Sequence, residues 1–197
     1  MIDASTMLAS FAQQFPGLED LLNAVVALLG LVLTGNAVFK AIQVDKTGGQ
    51  GMTWTTPIMY FFCGVALFNF AASIDTALDS FWGGSVSVKN LMSYQGSANM
   101  PAQTSELIGV IVLCLRFYGY ITYARGWMSM RRIGSGQNGS DEVFKKSFIR
   151  LVAGVALINI VGTVNMFSET VSYTHLRAHE TLRYLVWRLL LGKKKKT

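Results

Sequence analysis

Four apolar runs, over residues 21–41, 57–78, 106–124 and 148–167, alternate with polar stretches rich in Gly, Ser, Asn and Gln. A helix of about 20 residues crosses a hydrocarbon core of roughly 30 Å, so each run predicts a membrane-spanning helix. The second run contains Gly64-Val-Ala-Leu-Phe-Asn69 and the fourth contains Gly154-Val-Ala-Leu-Ile-Asn159; the two stretches differ only at Phe68 versus Ile158. The polar loop ahead of each repeats as well. Lys46-Thr-Gly-Gly-Gln-Gly51 precedes the first stretch, and Arg131-Arg-Ile-Gly-Ser-Gly-Gln-Asn-Gly-Ser140 precedes the second. An apolar run, a Gly-rich basic loop and a second apolar run make one helical hairpin, here written twice. The predicted fold is all-α and integral to a membrane: four transmembrane helices as two tandem helical hairpins.

This pattern divides the chain. Residues 1–20 are expected to form a periplasmic interfacial segment. Ala4, Leu8, Phe11 and Phe15 recur there at helical spacing, and Pro16-Gly17 should end the helix. Residues 21–78 are the first hairpin, 79–105 a periplasmic loop and 106–170 the second hairpin. Gly30 and Thr34 form a small-xxx-small pair, and Gly64 and Gly154 supply small residues to the second and fourth runs, so helices can approach closely. Pro57 suits a first helical turn. Trp54 suits the water–lipid boundary, and Phe81-Trp82-Gly83-Gly84 reads as an aromatic and glycine closure of the second run.

Residues 171–197 do not continue the pattern. Val171-Ser-Tyr-Thr-His-Leu-Arg-Ala-His-Glu-Thr181 reads as an in-frame translation of a transposase-library sequencing adapter. After a gap the length of a variable index, residues 185–193 match the adapter's continuation except at Trp187 and Gly192. The segment is therefore set aside as adapter-derived rather than native, and the native end is expected to be missing. This changes the charge balance. The tail holds seven Lys and Arg against the single acid Glu180, which accounts for the whole formal charge of +6. The rest is balanced, so the basic isoelectric point says nothing about nucleic acid, and no direct nucleic-acid binding is expected.

The polar residues inside the apolar runs are the candidates for function. Asn69 and Asn159 fall at equivalent depths in the repeat, Asp75 lies toward the far end of the second run, and Arg116 is inside the third. A charge within a span marks either a functional group or a paired structural one. Asp75 is the candidate partner of Arg116. The asparagines suit interhelical hydrogen bonds or a polar substrate at the repeat interface. The basic loop residues alternate with the runs. Lys40 ends the first and Lys46 follows it, only Lys89 follows the second, and Arg125, Arg131, Arg132, Lys145 and Lys146 follow the third. The positive-inside rule then sets both Gly-rich loops in the cytoplasm and both ends of the chain outside it.

No enzyme is expected. Both histidines lie in the tail, no Gly-x-Ser-x-Gly occurs, and no carboxylate pair has active-site spacing within a run. The Gly-rich loop after residue 46 lacks the spacing and the GK[ST] ending of a phosphate loop. Cys63 and Cys114 sit in apolar runs and are expected to be free thiols. No metal or cofactor is implied.

Leu29-Gly-Leu-Val-Leu-Thr-Gly-Asn-Ala-Val-Phe-Lys40, the Gly-rich loop, Thr56-Pro-Ile-Met-Tyr60, Gly64-Val-Ala-Leu67 and Ser80-Phe-Trp-Gly83 together resemble small inner-membrane proteins of type IVB secretion systems. These include the IcmC/DotE group of Dot/Icm machines and the TraQ-like proteins of IncI-type conjugation. The resemblance spans residues 21–170 and carries no catalytic signature. It implies a non-enzymatic structural subunit of a conjugative or secretion apparatus, partnered by the lipid bilayer, by other transfer subunits and by copies of itself. The alternative from the residues alone is a small pore-forming or solute channel, holin-like, organised around Arg116 and the two asparagines.

Overall fold

A computed structural model describes residues 4–48, 53–83, 102–135 and 140–171. The tips of both Gly-rich loops, most of the 79–105 loop and residues 172–197 lie outside the described residues. The chain divides into one unit spanning Met1–Ile160 and a second spanning Val161–Thr197. The first contains α1 (Ala4–Lys46), α2 (Thr55–Phe68), α3 (Phe70–Trp82), α4 (Ala102–Met130), a short 3-10 helix (Arg131–Ser135) and α5 (Ser140–Ile158). A last helix, α6 (Ile160–Val171), runs into the second unit, where its described residues beyond Thr163 are exposed. The described residues are helical and contain no strand.

Two helices are long and apolar enough to cross a membrane, over Gln13–Lys46 and Leu107–Ile133; the number rises to four if α2 with α3 and α5 with α6 each count as one interrupted span. The exposed surface agrees with lipid as solvent. Phe39 is 71% exposed, and Leu21, Leu28 and Leu31 are exposed along the same helix. So much bare apolar side chain on one helix is an aggregation liability in water and an ordinary surface in hydrocarbon.

The first expectation the structure corrects is the break at Pro16-Gly17. α1 runs unbroken through Pro16 for 43 residues. Proline removes one backbone donor, which a long helix in a membrane tolerates. Phe15, Val26, Leu33 and Ala37 are buried, with Glu19 and Leu22 half-buried between them. These positions fall at helical spacing across the proline, so packing carries the helix past it. At about 1.5 Å per residue, α1 is far longer than the hydrocarbon core is thick.

The second correction concerns the straight second run. It is split at Asn69 into α2 and α3, which meet at 92°. Asn69 takes φ −98° and ψ 52°, outside helical geometry. Its N–H still donates to the carbonyl of Val65 at 3.0 Å, and its own carbonyl accepts from the N–H of Ser73 at 2.9 Å. Asparagine is a weak helix former whose side chain competes for backbone groups, and the chain turns there. α2 has 14 residues, about 21 Å of helix, which is too short to cross alone. α3 is amphipathic and buries Phe70, Ile74 and Leu78, one stripe at i, i+4 and i+8. It ends as its sequence suggests. Gly83 adopts φ 73° and donates its N–H to the carbonyl of Asp79. The fourth run is interrupted in the same way at Asn159, between α5 and α6.

α1 pairs with α2, and α4 pairs with α5. The two pairs use the same device. A Cβ on Gly64 would lie 2.8 Å from the backbone nitrogen of Thr34, and one on Gly154 would lie 2.8 Å from that of Tyr123. Across the first seam, Gly30 abuts the backbone of Phe68 and Gly64; across the second, Gly119 abuts that of Ile158 and Gly154. Gly30 and Thr34 thus correspond to Gly119 and Tyr123. The hairpin is written twice in contacts as well as in residues. Helices meeting backbone to backbone leave no room for a methyl group, because packed interiors hold few voids.

Acidic Asp141 and Glu142 open α5, where a helix N-terminus favours negative charge. Glu142 pairs with Lys146 at 2.6 Å on the exposed first turns.

The glycine seams make a testable statement. Gly64→Val and Gly154→Val are each expected to lower stability by about 1–3 kcal/mol through overpacking. Gly35→Ala, whose added Cβ meets nothing within 4 Å, should stay within about 0.5 kcal/mol of the parent. Unfolding by denaturant in detergent micelles reads both; a tolerated valine at either seam would refute the close approach.

Candidate functional site

The core of the first unit joins the hairpins. Val26, Leu33, Leu67, Phe70, Ile74 and Leu78 pack with Tyr120, Tyr123, Ala124, Val155 and Ile158. Aromatic side chains fasten α3 to α4. The Phe70 ring lies 6.4 Å from that of Tyr120 and 5.9 Å from that of Tyr123, and the Tyr123 hydroxyl donates to the carbonyl of Ser73 at 3.1 Å. That bond is a second one to a carbonyl inside the first turn of α3, and it ties this helix directly to α4.

Arg116 lies one turn from Tyr120 on α4 and is 3% exposed. It is buried between hairpins rather than snorkelled to a surface. The groups whose charge it feels are Tyr120 and Glu19 of α1. Asp75 of α3 acts on the Tyr120 hydroxyl, as do Glu19 and Arg116. Arg116 and Tyr120 of α4, Glu19 of α1 and Asp75 of α3 thus lie in one region of this unit, within electrostatic reach of Tyr120. The Nε and Nη1 atoms of Arg116 have no hydrogen-bond partner among the described residues. An edge contact between Phe15 and Phe117, with centroids 6.1 Å apart, closes one side.

Glu19 is the residue that sequence reasoning missed. Ending the helix at Pro16-Gly17 assigned Glu19 to a solvated segment. The spacing of Phe15, Glu19, Leu22 and Val26, at i, i+4, i+7 and i+11, carried the signal of a continuous helix with a carboxylate on its packed face. The structure also separates the two asparagines. Asn159 is 3% exposed and Asn69 is exposed, so the repeated position has two environments. Gly64 and Gly154 lie in the hairpin seams described above. Cys63 and Cys114 are both free thiols; Cys63 is buried and Cys114 is exposed. Among the described residues no group of three or more His, Cys, Asp or Glu could hold a metal ion.

A second contact ties the hairpins together at the loop end. The Lys40 ammonium lies 4.8 Å from the centroid of the Tyr60 ring, and the Arg131 guanidinium lies 5.8 Å from the same centroid. One aromatic face on α2 thus holds a cation from each hairpin. The Lys40 end of α1 and the Arg131 turn after α4 are consequently at the same end of this unit. Between α1 and α2 at that end is an apolar groove of about 250 Å³, lined by Ala37, Ala41, Trp54, Pro57 and Phe61 among others.

No family profile matches the chain, and no curated protein or solved structure is similar to it.

The cluster predicts coupling across helices. Arg116→Leu and Glu19→Leu should each destabilise the protein, the first by leaving a half-buried carboxylate and the second a buried guanidinium without its neighbour. The double variant should be more stable than the sum of the two losses implies, by about 1–3 kcal/mol. Unfolding measured on the four-member cycle tests this; strict additivity would show that Glu19 does not act on Arg116.

Proposed function

We propose that this chain is a non-catalytic inner-membrane subunit of a type IVB secretion or IncI-type conjugation apparatus, working through helix packing and protein partners. In this reading it has four spans as two tandem hairpins, with the second leg of each broken at an asparagine. Both Gly-rich turns are cytoplasmic and the N-terminus is periplasmic. The observation that carries the proposal is where the chain spends its polar chemistry. The one arginine buried in the described core lies between hairpins, with a carboxylate and a phenol of this same chain around it. Glycine seams and aromatic contacts do the rest of the joining. These are devices for holding helices together. The resemblance of residues 21–170 to the transfer-system proteins supplies the apparatus, and the shared Tyr60 site for Lys40 and Arg131 supports two turns on one side.

A channel is the second reading, favoured by the unpartnered Nε and Nη1 of Arg116 beside interrupted helices. Unwound backbone at membrane depth is tolerated where it is buried in protein or lines a cavity. The two readings separate in one set of measurements. Deletion of the gene should abolish conjugative or effector transfer, and complementation with Arg116→Lys should restore it if only a packed cation is needed. Ion flux through vesicles reconstituted with the purified protein, changed by Arg116→Ala, would instead favour the channel. Single cysteines beside Lys46 and Arg131 should label from the same, cytoplasmic side; labelling from opposite sides would end the paired-hairpin topology.

A further inference from the structure

Two cations from different hairpins are held close together without a carboxylate between them. Lys40 lies on α1, and Arg131 opens the 3-10 turn that follows α4. Both are half-buried, and both lie over the ring of Tyr60 on α2. Among the described residues neither forms an ion pair with a carboxylate. Their positions are fixed by packing. α1 is locked to α2 at the glycine seam that precedes Lys40, and the 3-10 helix beginning at Arg131 also packs on α2. The Tyr60 ring attracts each cation but neutralises neither, so two positive charges repel across one aromatic side chain.

An anion at this point removes the repulsion, and the surroundings indicate its class. On the Lys40 face of α1, running back into the span, Asn36, Val32 and Leu29 follow at i−4, i−8 and i−11, and all three are exposed. A pair of cations at the head of an open, largely apolar lane matches an amphiphile with a negative headgroup. The lane adds nothing to the binding of a free anion. We propose that Lys40 and Arg131 form a binding site for the phosphate of an anionic phospholipid, whose acyl chain lies along Val32 and Leu29. Basic pockets between spanning helices receive such headgroups, and a phosphate oxygen accepts strong, charge-assisted hydrogen bonds from ammonium and guanidinium alike. One lipid held by both cations links hairpin one to hairpin two at the loop end, where the aromatic contacts of α3 with α4 do not reach.

This site rests on the chain being a membrane protein, but not on the transfer apparatus, so a missing transfer phenotype would leave it standing. Native mass spectrometry of the full chain in detergent micelles reads the binding. The chain is titrated with phosphatidylglycerol, or with phosphatidylcholine carrying the same acyl chains. The basic tail is common to all variants, so differences between them report the site. The parent should hold phosphatidylglycerol more tightly than phosphatidylcholine. Lys40→Gln and Arg131→Gln should each weaken that binding by about tenfold, the worth of one charged hydrogen bond. Lys40→Arg should retain it. Lys145→Gln, which removes an exposed cation of α5, should stay within about twofold of the parent. Inorganic phosphate should not displace the lipid. Equal affinity for the two lipids, unchanged binding in the Lys40→Gln/Arg131→Gln double variant, or an equal loss in Lys145→Gln would overturn the site. A loss in Lys40→Arg as large as that in Lys40→Gln would overturn it too, since shape rather than charge would then decide. Displacement by inorganic phosphate would assign the two cations to a free anion and end the lipid proposal.

Discussion

Contact between helix backbones at two glycine seams is the constraint on which the rest of this molecule depends. In a bilayer the hydrophobic effect does not drive helices together, because lipid tails are as apolar as leucine. What remains is close packing, and closeness requires the absence of side chains where two helices cross. Gly30 with Gly64, and Gly119 with Gly154, provide it. Once each pair is locked, its neighbours are set as well. Thr34 bonds back to the carbonyl of Gly30 at 2.6 Å, so its hydroxyl is satisfied within the helix at the crossing. Tyr123, the equivalent residue, is larger and uses its length to reach Ser73 on α3. The same scaffold position thus serves one seam as a filler and the other as a link between hairpins.

The repeat, the helical class and the seams were legible in the sequence because they depend on local composition and on residue spacing. Gly64 and Gly154 stand out by self-similarity, and Gly30 with Thr34 by the spacing of small residues. Two features were not legible. Pro16-Gly17 carries a strong local signal for a break, and it is overruled by a packing stripe whose partners are a hundred residues away on α4. Asn69 and Asn159 suit interhelical hydrogen bonds or a polar substrate inside single spanning helices, whereas the helix is interrupted at each of them. An asparagine's weak helix propensity is too small a signal to distinguish a kink from a buried polar contact. The repetition of the asparagine at one place in each hairpin was the available hint, since a repeated helix breaker marks a repeated shape.

These two misreadings share a consequence for the site. The continuous α1 brings Glu19 alongside Arg116, and the turn at Asn69 brings α3, with Asp75, against α4. A helix that ended at Pro16 would have left Arg116 without Glu19, and a continuous second run would have left Tyr120 without Asp75. The polar cluster is thus a product of backbone geometry. Buried charge in a membrane is tolerated when a partner reaches it, and here the carboxylate arrives on a helix that continues past Pro16. The ladder itself is bridged across the break by Asn69, whose N–H donates to Val65 and whose carbonyl accepts from Ser73.

The second hairpin differs from the first in a way that gives the chain polarity. Asn159 is buried and Asn69 exposed; Tyr120 is covered and Leu31 bare. Two identical hairpins packed face to face could bury the same surface on each, which would close the assembly at two. Here Tyr120, Ala124 and Trp127 of α4 are turned to the core, whereas their repeat-equivalents Leu31, Gly35 and Val38 of α1 are exposed, so the two hairpins do not use one surface twice. The alternation of exposed and covered faces is therefore the structural counterpart of the repeated sequence.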